Sequence, residues 1–467
     1  MLFNSFQFLA FFILVYGFYR AFPFRWQNPL LLAASYFFYG CWDWRFLALI
    51  WFSSSLDFCL SKAIHRTSDA QRRRWLLWIS MAVNLGILFL FKYFGFFAAS
   101  LRPLLAVFGM DVSWTTLNIL LPVGISFYTF QTMSYTIDVY RGELAPTRNY
   151  LNYLLFVSFF PQLVAGPIER AKHLLGQVER PRTIDRAAWR EGCWLVLLGY
   201  YKKVVMADNL APFANTIFNA PDQAHGVGVL VGLLAFAFQI YGDFSGYSDI
   251  ARGVSRLMGF DLMLNFRMPY FAVNPSDFWR RWHISLSTWL RDYLYIPLGG
   301  NRGGEIRMYR NLALTMMLGG LWHGAAWHFV AWGAYHGLLL ILFRLAGGKG
   351  SPAEVRRGWR RAGAIAFFFA LTLGGWLLFR VNQLSDVPRL LANLFQPWVL
   401  NDNRALWSIL VFAGPLLLLE AMQERHGDML AIKRLAWPAR HAIYAFLTFA
   451  ILAAGARETY AFIYFQF

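Results

Sequence analysis

One stretch of this sequence reads Trp75-Leu-Leu-Trp-Ile-Ser-Met-Ala-Val-Asn-Leu-Gly-Ile-Leu-Phe-Leu-Phe-Lys-Tyr-Phe-Gly-Phe-Phe97, and its single charged side chain is Lys92. A helix needs about 20 mostly apolar residues to cross the hydrocarbon core of a bilayer. This stretch meets that length without a polar face that could be turned towards water. It therefore predicts a membrane-spanning helix.

The rest of the chain has the same character. Of its 467 residues, 58% are hydrophobic and only 15% are charged, whereas soluble domains carry about 25% charged residues. Several further runs are short or interrupted by glycine, as in re-entrant or broken helices that line a cavity. We expect an all-α polytopic membrane protein with roughly 10 to 13 membrane segments. The further apolar runs are residues 2–19, 30–42, 46–60, 117–137, 150–163, 189–205, 227–241, 312–322, 325–343, 362–379, 406–419 and 443–455.

Composition also limits the possible partners. The net charge is +18, and the basic residues gather in loops at 62–74, 170–190 and 344–361, as is typical of cytoplasmic loops. These loops lack interleaved stacking aromatics, so the lipid bilayer rather than nucleic acid is the expected partner. No linker divides the chain, which predicts one domain over residues 1–467. Cys41, Cys59 and Cys193 lie in apolar runs and are expected to be small buried side chains.

Polar residues are concentrated in the central third, at 238–337, which we take as the functional core because ionisable groups within a membrane protein are costly and mark function. The first polar motif is Gln239-Ile-Tyr-Gly-Asp-Phe-Ser-Gly-Tyr-Ser-Asp249. It offers Asp243 and Ser245 as candidate site residues. An equally good interpretation is a polar cluster that bonds its own backbone at a helix break.

The second motif runs from Pro275 to Arg302 and begins Pro275-Ser-Asp-Phe-Trp-Arg-Arg-Trp-His283. We expect Ser276 to cap an amphipathic helix in which aromatic residues recur at helical spacing. His283 lies within this helix, either as an interfacial hydrogen-bonding residue or as a catalyst. The loop Gly299-Gly-Asn-Arg-Gly-Gly304 follows, and Arg302 could contact phosphates of a coenzyme or of lipid headgroups.

The third motif is Leu318-Gly-Gly-Leu-Trp-His-Gly-Ala-Ala-Trp-His-Phe-Val-Ala-Trp-Gly-Ala-Tyr-His-Gly337. His323 is flanked by glycines that permit close approach of backbone or substrate, and a neutral imidazole is well suited to move a proton near pH 7. A metal site is the rival interpretation. The three histidines are 5 and 8 residues apart rather than 4, with no Glu or Cys beside them, so no metal is expected. His328 and His336 suit hydrogen bonds between helices.

Together these motifs resemble the membrane-bound O-acyltransferase (MBOAT) family, most closely the alginate O-acetyltransferase membrane subunits and their cellulose-acetylating relatives. The resemblance extends over essentially the whole chain. It rests on Trp322-His-Gly-Ala-Ala-Trp327, Trp332-Gly-Ala-Tyr-His-Gly337, Phe278-Trp-Arg-Arg-Trp-His283, Pro297-Leu-Gly-Gly-Asn-Arg302, Leu121-Pro-Val-Gly-Ile-Ser-Phe-Tyr-Thr-Phe130, Phe160-Pro-Gln-Leu-Val-Ala-Gly-Pro-Ile-Glu-Arg170 and Phe462-Ile-Tyr-Phe-Gln-Phe467.

The resemblance implies a helical shell around a central tunnel, with His323 as the catalytic histidine and His283 as the second active-site position. It also implies that Tyr464 is a candidate acyl-carrying residue, although an aromatic segment of this kind also anchors chains at membrane interfaces. Further residues are expected to bind the donor or line the tunnel: Asp243, Ser245, Trp279, Arg280, Arg291, Asn301, Arg302, Trp322, Trp327 and His336.

The expected function is transfer of an acetyl group from a cytoplasmic donor, acetyl-CoA, across the bacterial inner membrane for O-acetylation of an exported polysaccharide such as alginate or cellulose. No bound cofactor is expected. The expected partners are a periplasmic hydrolase-like acetyltransferase and a polysaccharide synthesis and export complex. The alternatives are a polytopic transporter and an export-complex component without acyltransferase chemistry, and neither the polymer nor the short acyl group can be identified from the residues.

Overall fold

A computed structural model of the chain describes residues 1–109, 120–164, 166–348, 358–397, 403–456, 460, 462 and 463. Within these ranges all regular secondary structure is helical and no β-strand occurs. The all-α class predicted from the apolar runs is therefore confirmed. The chain forms two compact units, residues 1–189 with 254–263 and residues 190–253 with 264–467.

The first unit is built from helices whose ends are set by local caps. The side chains of Ser5, Asp69 and Asn149 accept backbone N–H groups at helix starts, which satisfies donors that have no partner within the helix. A π-helical turn, Phe89–Tyr93, joins α4 to α5. The helices are α1 (Phe6–Ala21), α2 (Phe24–Asp43), α3 (Leu47–Arg66), α4 (Ala70–Leu88), α5 (Phe94–Val107), α6 (Ile125–Tyr140), α7 (Tyr150–Ser158), α8 (Phe160–Leu163) and α9 (Ala171–Val178).

Arg182 holds several segments of the first unit together. Its guanidinium donates to the Tyr19 hydroxyl at 2.8 Å, to Asn28 Oδ1 at 2.8 Å and to Gln27 Oε1 at 2.9 Å. The same group lies 4.7 Å from the ring centroid of Phe260. A planar cation with five donors can bridge segments far apart in sequence in this way.

The second unit carries the central motifs. Its first helix begins a few residues before the unit, and two further π-helical turns, Tyr201–Ala207 and Arg291–Tyr295, extend α10 and α14. The helices are α10 (Arg186–Tyr200), α11 (Asp208–Asn219), α12 (Val227–Leu257), α13 (Pro275–Trp279), α14 (Ile284–Leu290), α15 (Glu305–His323), α16 (Trp327–Leu345), α17 (Trp359–Arg380), α18 (Asp386–Leu394), α19 (Arg404–His426) and α20 (Trp437–Ala454).

Glycine allows two pairs of helices in the second unit to touch backbone to backbone. A Cβ atom on Gly199 of α10 would lie 2.6 Å from the carbonyl oxygen of Gly246 on α12. A Cβ on Gly320 of α15 would lie 3.1 Å from Cα of Gly333 on α16. Small residues at helix contacts are how membrane helices approach closely. The second contact brings α16 against the end of α15, where His323 lies.

Six helical runs in the described part of the chain are long and apolar enough to cross a membrane, judged by length and composition. The protein is therefore a multi-pass membrane protein. The predicted total of 10 to 13 segments also counted shorter and re-entrant helices, and that number stays a prediction. The six runs are Phe24–Arg66, Ala70–Val107, Val227–Leu257, Trp327–Leu345, Trp359–Arg380 and Arg404–His426.

The expectation for the three cysteines was wrong. Cys41 and Cys59 are exposed on the protein surface and Cys193 is half-buried. In a membrane protein the lipid-facing surface is as apolar as the interior, so an apolar run does not reveal which of its residues face inwards.

Candidate active site

A cavity of 430 Å³ lies in the second unit among α13 to α16. This volume falls within the range of about 300–1,000 Å³ that is usual for small-molecule sites. Apolar side chains form most of the wall, and the polar groups include three arginines and one histidine. Among the residues that line it are Trp279, Arg280, Arg291, His323, Trp332 and Arg344.

His323 lies at the wall of this cavity. It is the last residue of α15 and its side chain is 3% exposed. Gly319, one turn earlier, also lines the cavity. The C-terminal end of a helix carries a partial negative charge that favours a cation. An imidazole at this position is therefore well placed to gain a proton from a group bound in the cavity.

His283 of the second motif lies close to His323. The ring centroids of the two imidazoles are 6.0 Å apart. The indole of Trp322 lies beside both, 5.8 Å from the His283 ring and 5.2 Å from the His323 ring. The fold thus brings together the two histidines that the family resemblance singled out, although 39 residues of chain lie between them.

The helix expected to carry His283 is broken. α13 is capped by Asn274, whose side chain accepts the N–H of Asp277, so the expectation of Ser276 as the cap was wrong. α13 ends at Trp279 and α14 starts at Ile284, with His283 between them at φ 44. A left-handed backbone at a residue other than glycine costs about 1–3 kcal/mol and persists only where its surroundings impose it.

Ion pairs and backbone hydrogen bonds impose this turn. The Arg281 guanidinium forms two bonds to the Glu424 carboxylate, at 2.7 and 3.1 Å, and a third to Asp277 at 2.9 Å. The backbone N–H of Ile284 donates to the carbonyl of Asn265 at 2.9 Å. The turn is therefore held to α19 on one side and to the segment around Asn265 on the other.

Asn265 is a site residue that the sequence motifs did not reveal. Its Oδ1 accepts from the backbone N–H of Ser285 at 3.3 Å and from the Ser285 hydroxyl at 2.9 Å. His283 Nδ1 lies 3.1 Å from the same oxygen. An N–H can only donate, which identifies this atom of Asn265 as oxygen, so His283 Nδ1 must carry its proton. The neutral ring then has its lone pair on Nε2.

Burial keeps His283 neutral. Its side chain is fully buried and lies outside the six candidate spans. Desolvation lowers its pKa to about 3, since burial in apolar surroundings disfavours the charged form. Phe244 stands edge-on to the ring at 4.7 Å. His283 is thus a fixed, neutral hydrogen-bond acceptor through Nε2.

Aromatic side chains enclose His323. The rings of Trp332 and Phe379 stand nearly perpendicular to its imidazole, at 5.0 and 5.6 Å. The indole N–H groups of Trp279 and Trp332 are buried and have no hydrogen-bond partner among the described residues. Both indoles line the cavity. A buried donor without an acceptor is costly, so each is a candidate to bind an oxygen of a molecule in the cavity.

The other residues of the third motif have separate environments. His328 Nδ1 lies 3.3 Å from the carbonyl oxygen of Leu378 on α17, so it links helices, as expected. His336 packs between Phe278 and Trp332, with ring centroids at 5.8 and 4.9 Å. Trp327 is 56% exposed on the outer surface.

The remaining expected donor-binding or tunnel-lining residues divide into two groups. Asn301 and Arg302 are exposed, and Asn301 accepts a hydrogen bond from the hydroxyl of Tyr295, which lines the cavity. Asp243 and Ser245 are buried in α12, and Asp243 borders a different, 40 Å³ cavity. Tyr464 lies outside the described residues. A metal-binding group of three or more His, Cys, Asp or Glu side chains does not occur in the described part of the chain.

Comparison with known proteins identifies the kind of enzyme to which this site belongs. The MBOAT, membrane-bound O-acyltransferase family model matches residues 143–382, which include the cavity, both histidines and Asn265. A probable alginate O-acetylase AlgI from Azotobacter vinelandii is 44% identical over 427 residues, 89% of this chain and 83% of the relative.

Two further relatives differ in the acceptor that their names specify. A peptidoglycan O-acetyltransferase from Helicobacter pylori is 36% identical over 416 residues, 83% of this chain and 76% of the relative. A teichoic acid D-alanyltransferase from Bacillus subtilis is 30% identical over 237 residues, 48% of this chain and 60% of the relative. The family match and the near-full-length similarity place the chain among acyltransferases, so it is a member of the membrane-bound O-acyltransferase family.

Proposed function

We propose that this protein transfers an acetyl group from acetyl-CoA, bound at the cytoplasmic face, to a hydroxyl acceptor on the route to an exported polysaccharide. The observation that carries the proposal is the pair of imidazoles 6.0 Å apart, one of them on the wall of a 430 Å³ cavity. A hydroxyl that donates its proton to His323 at about 2.6–3.2 Å can lie beside His283 at this separation.

The acyl donor is inferred from the charge of the cavity. Arg280, Arg291 and Arg344 all line it, and guanidinium groups are suited to bind phosphate oxygens. The basic loop with Arg302 follows directly in sequence, and basic loops of membrane proteins lie on the cytoplasmic side. Acetyl-CoA combines phosphates with a narrow thioester arm, which matches arginines together with apolar walls.

The acetyl group is inferred from the relatives. The alginate O-acetylase and the peptidoglycan O-acetyltransferase described above cover 89% and 83% of this chain and are named for O-acetylation, whereas the D-alanyltransferase covers 48%. The polymer is of the polyuronate or glycan class, because alginate and peptidoglycan are the acceptors in those two names.

His323 acts as the general base. It takes the proton of the acceptor hydroxyl while the oxygen attacks the thioester carbonyl, and the proton then passes to the thiolate of coenzyme A as the carbon–sulfur bond breaks. The helix end at His323 stabilises the transient imidazolium. The products are an acetyl ester and the free thiol.

His283 orients the reacting groups. Its Nε2 accepts a hydrogen bond from an N–H or O–H of the bound substrates other than the reacting hydroxyl, because Asn265 holds the proton on Nδ1. Donation by His283 to the developing oxyanion would require a proton on Nε2, which its low pKa disfavours. The indole N–H groups of Trp279 and Trp332 are better donors for that oxygen, since neither has another acceptor in the described structure.

We place the protein in the bacterial inner membrane, where its product passes to a periplasmic hydrolase-like acetyltransferase within a polysaccharide synthesis and export complex. The route from the cavity to the opposite face is the family's tunnel. These assignments rest on the family resemblance and on the names of the relatives.

The decisive experiment replaces His323 by alanine. Purified protein in detergent or nanodiscs receives acetyl-CoA labelled in the acetyl group, together with the periplasmic acceptor fraction, and both released coenzyme A and labelled product are measured. We expect transfer to fall to background in His323→Ala, because general-base catalysis contributes about 10²–10⁴-fold and the described cavity wall carries no other histidine.

His328→Ala is the matched control. His328 lies five residues further along the chain and bonds only to α17 among the contacts described, so its loss tests helix packing without touching the cavity. Membrane insertion and yield should match those of the wild type for both variants. Normal transfer by His323→Ala would overturn the proposal.

A further inference from the structure

Described residues that follow α20 contact the π-helical turn Tyr201–Ala207. The N–H of Ala456 donates to the carbonyl of Val204 at 2.9 Å, and just before it Ala454, the last residue of α20, accepts from Asn209 of α11 at 2.8 Å. A π-helical turn shifts the hydrogen-bond ladder by one residue, and such turns are frequent at functional sites. Here the π-helical turn binds a part of the chain that is distant in sequence.

Lys203 makes the central contacts of this π-helical turn. Its ammonium group lies 2.8 Å from Asp208 Oδ1, 2.7 Å from Asp243 Oδ1 and 3.0 Å from the carbonyl oxygen of Tyr460. The other oxygen of Asp243 accepts the backbone N–H of Ile463 at 2.6 Å. Lys203 therefore holds the segment at Tyr460, and Asp243 holds it at Ile463. We call the described residues Ala456, Tyr460, Phe462 and Ile463 the strap.

The ion cluster and the strap need each other. The side chains of Lys203, Asp208 and Asp243 are 1–5% exposed, and buried charges are tolerated only when they are paired and hydrogen-bonded. The strap supplies a carbonyl to the ammonium and an N–H to the carboxylate. Without the strap, the Lys203 ammonium and the Asp243 carboxylate would each lose a hydrogen-bond partner while remaining buried.

The strap is connected to His283 through packed aromatic rings. Phe462 is fully buried, and its ring centroid lies 4.5 Å from that of Tyr247 and 5.7 Å from that of Phe244. Phe244 in turn stands edge-on to His283 at 4.7 Å. A closely packed interior transmits displacement from one ring to the next. The position of Phe462 therefore bears on the position of the His283 ring.

The cluster itself is not a substrate site. The cavity beside it, bordered by Lys203, Asp208, Asp243, Tyr460 and Ile463 among others, measures only 40 Å³. Sites for small molecules are about ten times larger. What the cluster holds is a piece of the protein's own chain.

We infer that Lys203 and Asp243 are positioning residues of the acyl transfer, because they latch the strap whose Phe462 supports His283 through Phe244. This inference rests on the proposed role of His283 in acetyl transfer. The inference gives a role to Asp243 of the polar motif in α12, which does not line the 430 Å³ cavity.

The test replaces Lys203 by methionine, which keeps the length of the side chain and removes its charge. The matched control is Lys202→Met. Lys202 is equally buried and pairs with Asp249 at 2.8 Å, joining the same π-helical turn to α12 without contacting the strap. Two quantities are measured on the full-length protein, hydrogen exchange of the peptide containing Ile463 and steady-state acetyl transfer.

In Lys203→Met we expect hydrogen exchange in the strap to be about tenfold faster than in the wild type. The strap can then open without breaking its bond to the Lys203 ammonium group, so opening costs less free energy. We expect kcat to fall about tenfold with KM for acetyl-CoA unchanged, because misplacement of a catalytic group lowers the rate without altering donor binding. Lys202→Met should leave both the exchange of the strap and kcat as in the wild type.

Phe462→Ala keeps the ion cluster and removes the ring that packs against Phe244, so it tests the inference if Lys203→Met fails to fold. It should reproduce the loss of kcat. Faster exchange of the strap with normal kcat would overturn the inference, and so would an equal loss of kcat in Lys202→Met. Neither result would touch the proposed function, which stands or falls with His323→Ala.

Discussion

Two buried polar regions of this molecule can be compared, one in each unit. In the first unit, Asp57 of α3 is fully buried and receives hydrogen bonds from the Ser80 hydroxyl at 2.5 Å and from Asn84 Nδ2 at 2.9 Å. Asn84 Oδ1 in turn accepts from the Ser53 hydroxyl at 2.7 Å. This Asp57 cluster ties α3 to α4, and Thr132 of α6 also donates to Asn84 Oδ1 at 3.5 Å.

The histidine pair in the second unit is arranged differently. Asn265 satisfies one nitrogen of His283 and fixes the tautomer, while His323 borders a 430 Å³ cavity. The comparison teaches that burial of polar groups in a membrane protein does not by itself indicate catalysis. A catalytic group also needs a fixed protonation state and space for a substrate beside it.

The largest effect that sharpens this comparison is expected for Asn265→Ala. Loss of the acceptor at Nδ1 lets the proton of His283 move to Nε2, which removes the fixed acceptor, and kcat should fall about 10²-fold with little change in KM. Nitrogen-15 chemical shifts of labelled histidine would report the change of tautomer.

Asn265→Asp keeps an oxygen at the same place and should recover more activity than Asn265→Ala. If alanine and aspartate at this position were equally damaging, hydrogen bonding to Nδ1 would not be what Asn265 contributes.

A smaller effect is expected for Trp332→Phe. The substitution keeps an aromatic ring against His323 and removes the indole N–H. If that donor binds the oxyanion, kcat should fall about tenfold, less than the 10²–10³-fold typical of one oxyanion donor, because the indole of Trp279 remains. The matched control is Trp376→Phe. Trp376 is as deeply buried as Trp332 and is not among the residues that line the cavity. Steady-state kinetics with acetyl-CoA would compare the two.

Equal losses in the two tryptophan variants would point to packing rather than to oxyanion binding. An unchanged kcat in Trp332→Phe would leave Trp279 as the better candidate donor.

The smallest effect on catalysis is expected at the Asp57 cluster. Asp57→Leu removes the acceptor for Ser80 and Asn84, and buried donors without partners cost about 1–3 kcal/mol each. The melting temperature in detergent should therefore fall, while acetyl transfer per folded molecule stays within about twofold of the wild type, because none of these residues is among those that line the cavity. A large loss of transfer at normal stability would break the comparison and make the Asp57 cluster functional.

The sequence by itself determined the class of the protein. Apolar runs such as residues 75–97 predict membrane-spanning helices whatever the tertiary fold, because this signal depends only on consecutive residues. The motifs around His323 and His283 also sufficed to suggest the family and the two histidines, because short-range patterns carry that resemblance. Arg280 and Arg291 line the cavity, and their binding of an acyl donor stays a prediction.

Only the tertiary structure decided how these parts meet. Asn265 acts on a histidine 18 residues away, and Asp243 binds a backbone N–H 220 residues away. The break that turns His283 inwards is imposed by bonds to Glu424 and Asn265, not by the residues of the turn itself. Likewise, the outward-facing cysteines could not be recognised from apolar runs. Such contacts depend on the path of the whole chain, which local composition and spacing do not contain.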